Sequence, residues 1–352
     1  MFARAAIPPT RANAPYALRT VWRTHVSDGG VPPQGVPAGD RLHWFGVAGQ
    51  VTALNAAGKV AWRQPIQTVP RSLLLASGNV IAVEARVTAW NEATGREAWR
   101  FKPSSDASLG EATVARGRLY FGDRSGSVYA LRAADGRLLW HVSIRGASGP
   151  RLVAGVAVAG DRLYAAGEES LGPTSARAWL CALDALTGAT IWRASVGAAG
   201  ERRGFGAAPS VTRGLVLAAD TLGNSIVAFD RRDRERWVFR GKHGSAGFPE
   251  PPLVRNGVVL AGSGDGFVYA LRLADGRPVW RRRLGGSVLD FALCGRVLLV
   301  NDTELMALDP ASGRLLGSLF TSGVDFPSSG IAVHGRRALV LGPRGAYEVA
   351  CR

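Results

Sequence analysis

Six carboxylates, Glu84, Asp123, Glu168, Asp220, Asp265 and Asp302, fall at or near one turn of successive chain segments. Such a ring is a set of hard oxygen donors, the kind of ligand calcium takes about six to eight of. Asp123, Asp220 and Asp302 are therefore the calcium candidates. A local role competes and is favoured: a carboxylate beside a tight turn caps it through nearby backbone N–H groups or pairs with an adjacent arginine. Other chemistry is sparse. His25, His43, His141, His243 and His334 are scattered without metal-ligand spacing, and no nucleophile elbow, P-loop or paired-cysteine zinc motif occurs. The run Gly262-Ser263-Gly264-Asp265-Gly266 reads as a hairpin turn, because no helix follows to present its N-terminus to a phosphate. No catalytic residue is assigned.

The charge is one-sided. The 352 residues carry a formal net charge of +16, and of 43 basic residues only Lys59, Lys102 and Lys242 are lysine. An arginine-rich composition biased with alanine and glycine accounts for much of this. The sharper expectation is a surface, formed by Arg202, Arg203, Arg240, Lys242, Arg281, Arg282 and Arg283, that docks an acidic protein segment or, weakly and salt-dependently, a polyanion. No helix-turn-helix, zinc knuckle or aromatic RNA-reading pattern appears, which argues against sequence-specific nucleic-acid binding.

The elements that must carry these groups are written as a repeat. An apolar pair ending in Ala, a polar step, a Gly turn and a Trp nine or ten residues after the Ala recur from Ala53 through Ala89, Ala130, Ala182, Ala228 and Ala270 to Ala307. The mean spacing is about 42 residues, the length of a four-stranded propeller blade. The matching tryptophans are Trp62, Trp99, Trp140, Trp192, Trp237 and Trp280; the last copy has Gly317 instead. Within one period, residues 109–143, four short β-rich runs are separated by glycine turns, giving strands A to D from the inside outwards. Asp184, Asp230, Asp309, Asn55 and Asn91 are placed to cap the CD turns, whereas Arg132 and Arg272 stand there in two copies.

Glycines between strand-like runs at Gly39, Gly78, Gly117, Gly160, Gly214, Gly257, Gly295 and Gly335 mark eight AB hairpins, one more than the Trp phrases. The final run, Tyr347 to Arg352, has no strand after it, and the missing outer strand is expected in Tyr16 to Val26, with Trp22 in the Trp position. The expectation is an all-β, eight-bladed propeller of four-stranded antiparallel blades over residues 16–352, closed by pairing of its N-terminal and C-terminal strands, behind an arm of residues 1–15. Closure of that kind removes an exposed sheet edge. Trp44, Trp90 and Trp179 fall on strands B or C and are expected in the core.

The phrase Ala-x-Asp-x-x-x-Gly-x-x-x-Trp, best seen in Ala182 to Trp192, resembles the tryptophan-docking repeat of the PQQ-like β-propellers, which include quinoprotein dehydrogenases and BamB-like scaffolds. The resemblance covers residues 16–352. It implies a protein-interaction scaffold or, in the alternative, an enzyme binding PQQ or another small ligand in the funnel, with calcium as a further candidate. The adjacent Cys-Cys pair of the quinoprotein dehydrogenases is missing, and the only insertion is modest, Gly167 to Ser175. A scaffold without catalysis is therefore the leading expectation, acting as a monomer. Fold alone assigns no activity. A partner strand could add to an outer strand of the seventh repeat, where Gly317 leaves the Trp position vacant.

Cys181, Cys294 and Cys351 are dispersed and odd in number, so free thiols in a reducing compartment are expected. Met1 to Pro9 has neither a long apolar stretch nor a lipobox cysteine, and no segment reads as a membrane span. The expected address is the cytoplasm by default, or the periplasm if the natural N-terminus differs.

Overall fold

Short apolar runs punctuated by glycine turns fold as antiparallel strands. The computed structural model describes residues 18–24, 34–38, 42–47, 49–103, 107–144, 151–197, 201–212, 214–242, 247–288, 290–302, 304–319, 330–342 and 345–351.

Strand β1 is Arg19–Thr24. Blade 1 is β2 (Gln34–Ala38), β3 (Leu42–Val47), β4 (Gln50–Asn55) and β5 (Val60–Pro65). Blade 2 is β6 (Ser72–Ala76), β7 (Asn79–Val83), β8 (Val87–Asn91) and β9 (Glu97–Phe101). Blade 3 is β10 (Thr113–Ala115), β11 (Arg118–Gly122), β12 (Ser127–Arg132) and β13 (Leu138–Ser143). Blade 4 is β14 (Arg151–Ala159), β15 (Arg162–Gly172), β16 (Ser175–Asp184) and β17 (Thr190–Val196). Blade 5 is β18 (Ser210–Val211), β19 (Leu215–Asp220), β20 (Ser225–Asp230) and β21 (Glu235–Arg240). Blade 6 is β22 (Leu253–Arg255), β23 (Val258–Gly262), β24 (Phe267–Arg272) and β25 (Pro278–Arg283). Blade 7 is β26 (Asp290–Cys294), β27 (Val297–Asn301), β28 (Leu305–Leu308) and β29 (Leu315–Leu319). The chain finishes with β30 (Ile331–His334), β31 (Arg337–Gly342) and β32 (Gly345–Ala350).

The expected count of eight is corrected to seven blades of consecutive strands plus one composite sheet in the order β1-β32-β31-β30. The reason is covalent: β32 has no following strand, so its outer partner comes from the other end of the chain. In that seam Arg19 pairs with Ala350, Trp22 with Glu348 and Thr24 with Ala346. Inner strands β2, β6, β10, β14 and β18 neighbour one another in turn, and β30 packs against both β26 and β2, so the composite sheet sits between blades 7 and 1. The outlying residues of the expected closing segment, Tyr16, Ala17, His25 and Val26, lie outside the described residues, as does the side chain of Trp22.

Burial follows strand position. In blade 6 every residue of β24 but the last is buried, whereas β25 alternates exposed with half-buried side chains. Apolar clusters run between blades rather than within them: Tyr164, Leu180 and Ala182 of blade 4 pack with Val216, Val227 and Phe229 of blade 5. Strand A of blade 3 starts at Thr113, later than the expected Leu109, which instead forms an isolated bridge to Asp123.

The tryptophans bolt each blade to the next. Trp62 Nε1 donates to Glu92 O at 3.0 Å, Trp99 to Ala133 O at 3.1 Å and Trp140 to Ala185 O at 3.2 Å. Trp192 donates to Arg231 O at 3.0 Å, Trp237 to Leu273 O at 3.0 Å and Trp280 to Pro310 O at 3.1 Å. Each acceptor is in the CD turn of the following blade. The ring lies against the turn glycine so closely that a Cβ at Gly188, φ +76°, would stand 2.8 Å from Trp140 Cε3. Glycine is thus required there twice over, by the backbone angle and by the ring. Full burial of such a ring, as at Trp99 and Trp237, contributes on the order of 4 to 6 kcal/mol before ordering entropy is subtracted, and the half-buried rings contribute less.

The exception at Gly317 now has a cause. The sheet after blade 7 has β32 and β1 as its outer pair, from opposite chain ends, so it offers no CD turn for a tryptophan to dock on. A covalent link bridges this seam instead: Cys294, ending β26, is bonded to Cys351, just beyond β32. The expectation of three free thiols is overturned, because strands far apart in sequence bring two of the cysteines to the same end of neighbouring sheets. Cys181 remains free and buried, its thiol pushed up to about 12 by burial.

Candidate functional site

The turn carboxylates are spread around the ring, and their oxygens serve their own surroundings. Asp123 accepts from Ser125 N, Ser125 Oγ and Ser127 N, with Tyr129 Oη donating to its other oxygen at 3.1 Å. Asp220 accepts from the amides of Gly204, Leu222 and Gly223 and is ion-paired to Arg203. Asp302 accepts from Gly285 N at 2.8 Å, Glu84 from Gln67 N and Thr68 N, and Asp265 from Lys242 N, Phe267 N and Tyr269 Oη. These bonds tie each BC turn to itself or to the incoming linker. Among the described residues no three His, Cys, Asp or Glu side chains gather as a metal site, so Asp123, Asp220 and Asp302 are not brought together.

A second acidic set lay unnoticed in the sequence, where Glu111, Glu250 and Asp290 sit in no motif. They stand at or just before inner strands β10, β22 and β26. Glu111 Oε2 accepts from Ala208 N at 2.8 Å, reaching from the start of blade 3 past blade 4 to the linker that leads into blade 5. Only near the axis of a ring can such a bond form. Burial raises the Glu111 and Asp290 carboxyls, and burial followed by the charges of Asp290 and Glu111 pushes Glu250 up to about 9. Asp290 Oδ2 accepts from Gly330 N and Ile331 N. PQQ is a planar tricarboxylate and needs cations around it; three buried carboxyls, two of which raise the third, do not suit it.

The expected basic surface divides. Arg203 is not a surface group: it is 4% exposed, paired with Asp220 and bonded to Ser225 Oγ, its sequence neighbourhood having concealed a turn that folds it inwards. Arg282 is half-buried and donates to Gly313 O at 3.1 Å, because alternation along β25 turns it towards blade 7. Arg202, Arg240, Lys242, Arg281 and Arg283 are exposed. The arginines beside the CD turns are in a different condition. Arg132 pairs with Asp135, Arg234 and Arg236 with Asp230, and Arg272 and Arg277 with Asp275. His243, Arg145 and Arg213 lie outside the described residues.

Three exposed cations, none of them in an ion pair among the described residues, meet at one place. Lys242 Nζ lies 5.7 Å and the Arg281 guanidinium 5.9 Å from the centre of the Phe267 ring. Arg283 is the cross-strand partner of Phe267, and cross-strand partners share a sheet face. The carboxylate nearby, Asp265, is engaged by Tyr269 Oη at 2.7 Å and by backbone amides. Val279, 51% exposed, extends the same row of β25. A cationic strip beside an open strand edge can recognise an acidic chain; it offers no nucleophile or paired acid and base.

With this geometry in view, sequence comparison is informative. A family profile described as outer membrane protein assembly factor BamB matches residues 17–172, 145–288 and 176–326. The chain belongs to this BamB family. A relative of that description from Yersinia pestis is 27% identical over 253 residues, 66% of this chain and 61% of its own length. The fold is shared with BamB from Moraxella catarrhalis, TM-score 0.72 at 17% identity, covering 96% of this chain and 100% of that one. It is equally shared with the quinohemoprotein alcohol dehydrogenase of Comamonas testosteroni, TM-score 0.76 at 16% identity, covering 95% of this chain and 76% of that one. The same propeller fold thus occurs in an assembly factor and in an alcohol dehydrogenase, so the fold alone assigns no activity.

Proposed function

We propose that this BamB-family chain is a non-enzymatic docking scaffold for outer-membrane protein assembly, working in an oxidising compartment such as the periplasm. The observation that carries the proposal is the family match running from residue 17 to residue 326. The Cys294–Cys351 bond supports the compartment, since structural disulfides persist where thiols are not kept reduced. Rigid blades bolted by tryptophan supply a fixed frame, and the exposed cations over blades 5 and 6 supply a surface for an acidic protein partner. Affinity capture of the tagged protein from its native host, after brief crosslinking, tests the reading. Outer-membrane assembly components should be enriched over a tag-only control; enrichment of none would overturn it.

A further inference from the structure

Strand β25 is the outermost strand of blade 6, paired to β24 on one side and, among the described residues, to no strand on the other. Its residues alternate: Trp280 and Arg282 turn towards blade 7, whereas Val279, Arg281 and Arg283 are exposed on the other face. Three other outer strands, β9, β13 and β5, lack this combination. Arg100 on β9 is neutralised by Glu97, β13 carries His141 and Ser143 at the matching positions, and β5 ends in Pro65. An open edge offers backbone donors and acceptors to an extended chain, and side chains at alternate positions set which chain fits.

We infer that β25 docks an extended acidic strand of a partner protein, with carboxylates at alternate positions facing Arg281 and Arg283 and an apolar residue facing Val279. Lys242 completes the charge: it and Arg281 flank the Phe267 ring, so a carboxylate seated over Arg281 and Arg283 meets a third cation held in place by that ring. Backbone pairing supplies affinity and the alternating charges supply register. The inference rests on the scaffold reading above and gives it one address on the molecule.

The test uses the whole protein and a short fluorescein-labelled peptide, Glu-x-Glu-x-Val embedded in β-forming residues, with fluorescence anisotropy as readout. A peptide of the same composition with its two glutamates adjacent sends them to opposite faces, and should bind roughly tenfold more weakly. The double variant Arg281→Glu, Arg283→Glu should abolish binding of the alternating peptide while leaving the thermal melt unchanged, since both side chains are exposed. Equal binding of the two peptides, undiminished binding by the variant, or no binding at all would each overturn the assignment. So would retention on vesicles rich in phosphatidylglycerol that the same variant loses while the peptide never binds, for the strip then serves a lipid surface. If assembly components are still captured from the host by the variant, the scaffold reading stands and only this address fails.

Discussion

Single residues in this ring are held by demands that a substitution makes measurable. Gly188→Ala places a methyl group against Trp140 and forces a side chain into a left-handed backbone angle, so unfolding should come about 1 to 3 kcal/mol sooner, read from urea denaturation monitored by tryptophan fluorescence. The Arg203–Asp220 pair is buried on both sides. Arg203→Ala strands the Asp220 charge and should cost about 3 to 5 kcal/mol, whereas exposed Arg202→Ala should change little on the same urea curve. Near the axis, Glu250 holds its proton up to about 9 against an ordinary value of 4.5. The unfolded chain releases that proton earlier, so stability contributed by the neutral carboxyl is full below about 4.5 and declines as pH rises towards about 9. Glu250→Gln should flatten the fall in melting temperature across that window; an unaltered pH profile would show that Glu111 and Asp290 set it instead.

At the level of strands and turns, the sequence was most readable where one residue type had one job. Each repeat Trp from Trp62 to Trp280 finds a carbonyl one blade onward, and Gly78, Gly117, Gly160, Gly257, Gly295 and Gly335 turn with positive φ, because ring size and that angle leave few substitutes; Gly214 turns without it, and Gly39 lies outside the described residues. The CD-turn caps were partly readable. Asp184 accepts from Leu186 N and Thr187 N as its position suggests, but where Arg132 replaces that Asp, Asp135 at the other end of the turn accepts from Arg137 N and pairs with Arg132. Arginine positions misled for a geometric reason: one step along β25 separates exposed Arg281 from half-buried Arg282, and a tract of three basic residues does not reveal its own alternation. Cysteine pairing was hidden because Cys294 and Cys351 meet only once the last sheet is in place. The axial carboxyls were hidden likewise, since Glu111 and Ala208 are 97 residues apart in sequence and touch only where they meet at the inner strand of blade 4.

For the molecule as a whole, the seam between blade 7 and the composite sheet decides integrity, since it is fastened by a disulfide where six other seams have a tryptophan. Closing a loop between residues 57 apart contributes roughly 4 kcal/mol in the chain-entropy account. Cys294→Ser should therefore lower the melting temperature and make the protein prone to limited proteolysis within residues 330–351, a change that a reducing agent should reproduce in the parent protein and not in the variant. Removing residues 18–24 has a different consequence: β32 becomes an unpaired edge, and light scattering at moderate concentration should report association that the intact ring does not show.

The pairing of β1 with β32 also fixes an order of events during biosynthesis. Of the two strands, the first emerges from the ribosome more than three hundred residues before the second, so β1 must wait, unpaired, through nearly the whole of translation. Wherever the chain folds, the ring can be completed only once β32 is available to β1, and Cys351 comes within reach of Cys294 with that last sheet.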